Sequence, residues 1–193
     1  MSKLRILLCL VTSSLITGCI TFDQKSESVT FHQLSAPVTT PNKKSPVIYI
    51  PRANIPVSLR RPTLVIADET RVIKVDDSQR WIASLDRAVS EIVGRNLTKQ
   101  TGLPFELQTP NENYLVLFID VEAMFLSAQA TVLQLHYRIE DAQGKSLSQG
   151  QGQWKAKRSE NPIDYVNAQS ENFASAAAQM AKDIKLLTEN KTP

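Results

Sequence analysis

The sequence predicts a single α+β domain, a mixed and largely antiparallel sheet with two long helices packed on one face. Three observations carry this expectation. Residues 113–126 and 130–140 each carry an apolar face at every second position, residues 145–157 carry small residues at the matching positions, and the three are joined by the short loops Ser127-Ala128-Gln129 and Asp141-Ala142-Gln143-Gly144, the pattern of adjacent strands sharing one core face. Residues near 77–100 and 161–187 repeat apolar side chains at three- and four-residue spacing, which puts them along one side of a helix. A chain of 193 residues is long enough to bury one core and too short to call for two.

The first 18 residues stand outside that domain. Lys3 and Arg5 precede an apolar run from Ile6 to Ile16, and Ile16-Thr17-Gly18-Cys19 closes it with small residues before a cysteine. This is the layout of a bacterial signal peptide of the lipoprotein type. In this reading Cys19 becomes the first residue of the mature chain and carries acyl chains, palmitate among them, on its sulfur and its amine. A helix needs about 20 apolar residues to cross a bilayer core, and this run is shorter and interrupted by Thr12, Ser13 and Ser14. The protein is therefore expected to be anchored rather than spanning. Several chains are needed because one myristoyl-length chain binds only reversibly. Ile20 follows the cysteine; Asp at that place is the enterobacterial signal for retention in the inner membrane, so the expected address is the outer membrane, facing the periplasm.

Residues 19–27 read as the lipidated N-terminus and a polar tether, and 28–190 as the folded domain. Within it, Val29 to Leu34 alternates and predicts a strand; Ser35 to Pro46, with three prolines, predicts a loop; Val47 to Ile50 is a second strand stopped by Pro51. Pro56 and Pro62 punctuate Arg52 to Pro62 and predict extended backbone there. Leu64-Val65-Ile66 and Arg71 to Val75 read as two short strands around an Asp68-Glu69 turn. A helix is then expected from Asp77 or Ser78, which can accept the free N–H groups of a first turn, to about Gln100. Ile82, Leu85, Val89, Ile92, Val93 and Leu97 form its apolar stripe, and Gly102 and Pro104 end it.

The next three strands are tightly constrained. Leu115, Leu117, Ile119, Val121, Ala123 and Phe125 form one apolar face, and Thr131, Leu133, Leu135, Tyr137 and Ile139 another. Pairing residue 126 with 130 sets Val121 opposite Leu135 and Ile119 opposite Tyr137, so that both faces meet one core; a one-residue slip would misplace them all. Pairing Glu140 with Lys145 lays Ser146, Ser148, Gly150, Gly152 and Trp154 on the same side, where small residues would admit a close helix backbone. That helix starts at Asn161 and Pro162 and buries Val166, Phe173, Ala177, Met180, Ile184 and Leu187. The far face then holds Val116, Phe118, Met124 and Val132, with Asp120 beside His136 and Arg138 near Phe118, more apolar area than a merely solvated face requires.

Composition excludes several functions. The formal charge is +3, and without Lys3 and Arg5 only about +1 remains, so no nucleic-acid footprint is present. Cys9 leaves with the signal and Cys19 takes lipid, which leaves the domain without a thiol. His32 and His136 alone cannot build a metal site. No nucleophile elbow, phosphate loop or zinc-helix motif occurs, so neither a cofactor nor a catalytic residue is expected. Asp120 and His136 read as a cross-strand contact rather than a general-base pair, and Trp81 reads as packing on the first turn of a helix.

The lipid-anchor cysteine, Phe31-His32-Gln33-Leu34, the segment Ile55-Pro56-Val57-Ser58-Leu59-Arg60-Arg61-Pro62, and Arg80-Trp81-Ile82-Ala83-Ser84-Leu85 together resemble the PqiC/YmbA group of ABC-type transport auxiliary lipoproteins. Phe31 and Leu34 match that family's Tyr-x-Leu strand with one extra residue between them. Pro56, Leu59, Arg61 and Leu64 match its Pro-x-x-Leu pattern. Arg80, Trp81 and Leu85 match its helix opening, with Ile82 where Ala is commoner; Ala67 stands where an Arg is often found. The resemblance implies a non-enzymatic outer-membrane lipoprotein that accompanies an MCE-domain, periplasm-spanning complex of the PqiB kind and supports lipid transport between the membranes. The candidate contact residues are Pro56, Leu59, Arg60 and Arg61 on the Arg52–Pro62 segment, and Phe118 and Met124 on the far sheet face. A ring-shaped homo-oligomer would suit a tunnel-like partner. Two other readings stay open, a periplasmic carrier that itself binds phospholipid and an envelope structural lipoprotein unrelated to transport.

Overall fold

The computed structural model describes residues 28–189 apart from 71 and 112. The signal peptide, Cys19 and the tether lie outside the described residues. The element order is β1 (Thr30–His32), β2 (Val47–Tyr49), a single 3-10 turn (Val57–Leu59), β3 (Thr63–Asp68), β4 (Ile73–Trp81), α1 (Leu85–Thr101), β5 (Phe105–Glu106), β6 (Tyr114–Leu126), β7 (Ala130–Asp141), β8 (Ser146–Lys157) and α2 (Pro162–Glu189). All eight strands join one mixed sheet, and the two helices pack side by side. The expected α+β class is what the chain adopts.

β6 organises the sheet. One of its edges pairs antiparallel with β7, which pairs antiparallel with β8. Its other edge is shared along its length by β2, by the single residue Asn54, and by the end of β3, all parallel to it. Ile119 lies opposite Tyr137 and Val121 opposite Leu135, as the apolar pattern requires. Beyond Val121 the register shifts. Glu122 is an unmatched bulge, so Ala123 pairs with Gln134, Met124 with Leu133 and Leu126 with Thr131. The bulge reverses the facing of everything after it: Met124 and Leu126 enter the core, while Ala123 and Phe125 leave it half-exposed. Met124 is thus 3% exposed and not on the far face.

The β7–β8 pairing keeps the expected faces but slides by two residues, with Tyr137 opposite Gly150 and Leu135 opposite Gly152, after an irregularity beside Glu140. The room over these glycines is filled by side chains rather than by helix backbone. A Cβ on Gly150 would stand 2.5 Å from the Tyr137 hydroxyl, and one on Gly152 2.8 Å from the Trp154 ring. Tyr137 crosses the gap and donates to Asp183 Oδ2 of α2 (2.8 Å), which also accepts from Ser148 (3.1 Å).

The first helix begins later than the sequence predicts. Ser78 to Trp81 continue β4, because Gln79, Arg80 and Trp81 pair parallel with Thr30, Phe31 and His32. Ser84 is the residue before the first turn, and Gly102 ends the helix at φ 75° with its N–H donating to Thr98 O. Trp81 therefore closes a strand, and Ile82, expected in the helical stripe, is 63% exposed. The remaining stripe, Leu85, Val89, Ile92, Val93 and Leu97, is buried against Phe173, Ala177, Met180 and Ile184 of α2 and the inner sheet face in one continuous core. At the start of α2 the Asn161 side chain accepts from the Ile163 N–H (3.0 Å), as expected of a capping residue.

Candidate contact surfaces and family

After Pro51 the chain leaves β2 and runs along the edge of β6. Asn54 N–H donates to Ile119 O and its carbonyl accepts from Val121 N–H, both at 2.9 Å, and its side-chain amide donates to Asp120 Oδ1 at 2.9 Å. Ser90, on the buried side of α1, holds the other flank. Its hydroxyl accepts from Ala53 N–H (3.0 Å) and donates to Pro51 O (2.7 Å). Arg52 pairs with Asp86 at 3.2 Å. Burial alone would raise the Asp86 carboxyl, yet the Ser84 side chain and Arg52 outweigh it and hold the group below the ordinary aspartate value. A segment expected as extended backbone is therefore pinned between β6 and α1.

The extended backbone expected from Arg52 to Pro62 is interrupted once. Leu59 N–H reaches back to Pro56 O (2.9 Å) and Arg60 N–H to Val57 O (3.1 Å), closing one tight turn directly after the extended Pro56. This turn drives Leu59 inward, 6% exposed, and leaves Val57 at 80%. Arg60 folds over its own segment, donating through Nε to Ile55 O (3.1 Å) and through Nη2 to Asn54 Oδ1 (3.0 Å). Its guanidinium is committed to that fold-back, while Arg61 is exposed.

Leu59 separates two grooves. One, of about 700 Å³, is walled by Arg52, Arg60, Arg61, Trp81 and Ile82. The other, of about 530 Å³, lies between Pro56, Val65, Ile73, Met124 and Phe125. The fold thus brings Pro56, Leu59, Arg60, Arg61 and Met124 to one region, with Leu59 and Met124 as groove floor. Phe118 is apart, on the far face, its ring capped by the Arg138 guanidinium at 4.9 Å in cation–π contact. Asp120 and His136 are cross-strand neighbours as expected, but Asp120 takes the Asn54 amide and the acid nearest His136 is Glu122, at 4.0 Å. Among the described residues no three His, Cys, Asp or Glu side chains gather to hold a metal ion, and no helix is long and apolar enough to cross a membrane.

Residues 32–181 match the model of the ABC-type transport auxiliary lipoprotein component family. The chain belongs to this family. No functionally curated protein matches it. The fold is similar to the crystal structure of an uncharacterized protein, with a TM-score of 0.69 and 17% identity over 82% of this chain and 99% of that one. It is also similar to a Xanthomonas campestris protein of the DUF330 family, with a TM-score of 0.62 and 10% identity over 84% of this chain and all of the other. As an auxiliary lipoprotein of the PqiC/YmbA type, the protein is placed by its family among transport components. Sequence reasoning missed the pinning partners Ser90 and Asn54 and the exposure of Ile82. The signal available for Ile82 was its place in the family's helix opening, where Ala is commoner.

Proposed function

We propose that the protein is a non-enzymatic outer-membrane lipoprotein that docks an MCE-domain, periplasm-spanning complex of the PqiB kind and so supports lipid movement between the two membranes. In this reading residues 1–18 are removed, acylated Cys19 holds the protein on the periplasmic face, 19–27 are the tether and 28–190 the docking domain. The observation that carries it is a rigid contact segment on a transport auxiliary fold: Arg52–Pro62 is hydrogen-bonded to both β6 and α1, yet it presents Val57 at 80% exposure. A preorganised segment binds without a large ordering cost, and confinement to a thin layer at the membrane raises its effective concentration toward a partner in the same layer.

The carrier reading needs a void between helices and sheet. Tyr137 and Trp154 fill the space over Gly150 and Gly152, which supports the docking reading. A photo-reactive residue at Val57 in intact cells is expected to crosslink to an MCE-domain protein, with a second at Phe118 reporting whether the far face joins the contact. Absence of any MCE-domain adduct from both positions, together with failure to recover such a partner in mild detergent, refutes the docking role. Near-stoichiometric phospholipid in purified protein lacking the anchor would instead favour the carrier.

A further inference from the structure

We propose that the end of the domain carrying the β3–β4 turn faces the bilayer, with Val72, Ile73 and Val75 set into the interface of a zwitterionic phospholipid surface. The inference rests on the reading of Cys19 as the lipid anchor and adds which part of the fold the anchor brings down.

Strand directions define that end. β3 runs parallel to β6 and finishes at Asp68 beside Leu126, so the β3–β4 turn lies with the β6–β7 turn, the end of β8 and the start of α2. Side chains tie these pieces together: Lys74 pairs with Glu160 at 3.7 Å, and Arg158 Nε donates to Ser127 O at 3.0 Å. β1 runs parallel to β4 with Thr30 beside Gln79. The chain before Thr30 is therefore aimed back toward Ile73, where β4 begins. From Gln79 to Ile73 is about 20 Å at strand rise. The stretch from Cys19 to Thr30 can span up to about 36 Å when extended. A cysteine anchor at residue 19 can thus lie beyond the turn, on the side from which β1 enters.

The side chains at that end are unlike those at the opposite one. Val72, Ile73 and Val75 are 58%, 46% and 43% exposed, and Ile163, at the start of α2, is 57% exposed. The opposite end carries the polar β7–β8 turn Asp141-Ala142-Gln143-Gly144-Lys145 and, among the described residues, a single such side chain of α2, Leu186 at 59%. Charge at the apolar end is mixed, with Asp68, Glu69, Glu160 and Asp164 among Lys74, Lys157 and Arg158. Its attraction to lipid is thus apolar insertion at the headgroup boundary rather than capture of anionic lipid.

The test uses the lipidated full chain. With Cys19 acylated, Ile73→Cys, Val75→Cys or Gln143→Cys adds the one free thiol of the mature protein, and each variant is labelled with bimane. Each is then reconstituted on phosphatidylcholine vesicles with or without brominated acyl chains. The expected result is a blue shift and loss of emission to the brominated lipid at positions 73 and 75, with position 143 unquenched. Vesicle-bound protein with 73 and 75 unquenched, or with 143 quenched as strongly, overturns the orientation and leaves the anchor standing. A label at 75 already blue-shifted without vesicles shows that the chain's own tether covers the patch, and also overturns it. Protein that does not sediment with vesicles at all removes the anchor reading, and the inference with it.

Discussion

Ser90 shows how one hydroxyl can fix a contact segment. It is buried, donates to the Pro51 carbonyl and accepts from the Ala53 N–H, which also reaches the Asp86 carbonyl at 3.3 Å. Ser90→Ala removes both bonds at once and leaves the Ala53 N–H only its longer bond to Asp86 O, at a cost of about 1 kcal/mol for each bond lost. Urea unfolding is expected to show that loss, with faster amide exchange at Ala53. Nothing in the sequence distinguishes Ser90 from a solvated helix serine, because its partners are 37 and 39 residues away. Tyrosines give a second test. Burial pushes the Tyr165 phenol up to about 12, against the Gln169 amide, which favours ionisation; Tyr137 is raised further by burial and by the Asp183 carboxylate beside it. Both favour the neutral phenol when folded. Their contribution is complete below the ordinary tyrosine value of about 10 and is lost as pH climbs from there through the raised values. The urea midpoint is expected to decline across that window, and Tyr165→Phe to flatten the decline. An unchanged slope in Tyr165→Phe would show that Tyr165 plays no part in it.

At the scale of elements, the strands were legible where polar residues mark one face and illegible where none do. Leu115 to Ile119 is apolar throughout, and its facing was set by Asp120 and by Gln134, His136 and Arg138, which mark the outer side of β7. Ala123-Met124-Phe125-Leu126 is apolar throughout, so period two cannot say which side is in. The structure resolves this with the Glu122 bulge, which absorbs the one-residue difference between a 126–130 and a 126–131 closure. Deleting Glu122 is therefore expected to be tolerated, since Val121 still meets Leu135 and Met124 still meets Leu133. Deleting Asp120 removes the same excess residue but sets Glu122 opposite Leu135 in the core and turns Val121 outward, and should abolish cooperative unfolding. Circular dichroism with urea titration separates the two outcomes, and a Glu122 deletion that fails to fold would show that the bend itself is needed. The late start of α1 has a similar origin. Asp77 and Ser78 look like a helix cap locally, but β1, nearly fifty residues earlier, claims Gln79 to Trp81, and that pairing outweighs a cap contribution of about 1 kcal/mol.

For the whole molecule, the proposed anchor and the folded body should act independently, and that independence can be measured. Among the described residues the core runs from Leu34 to Ile184 and closes around both helices and the inner sheet face. Stability should therefore reside in the body and location in Cys19. Cys19→Ser leaves every described contact in place and removes the sulfur on which several acyl chains would act together, where a single chain binds only reversibly. The variant is expected to move from the membrane fraction to soluble periplasmic extract while keeping the same urea midpoint and the same cooperative transition. A midpoint that falls would mean that the N-terminal segment packs on the domain. A variant that stays with membranes would mean that the body itself holds the bilayer, and that the apolar end at Val72 to Val75 is enough to bind it without the anchor.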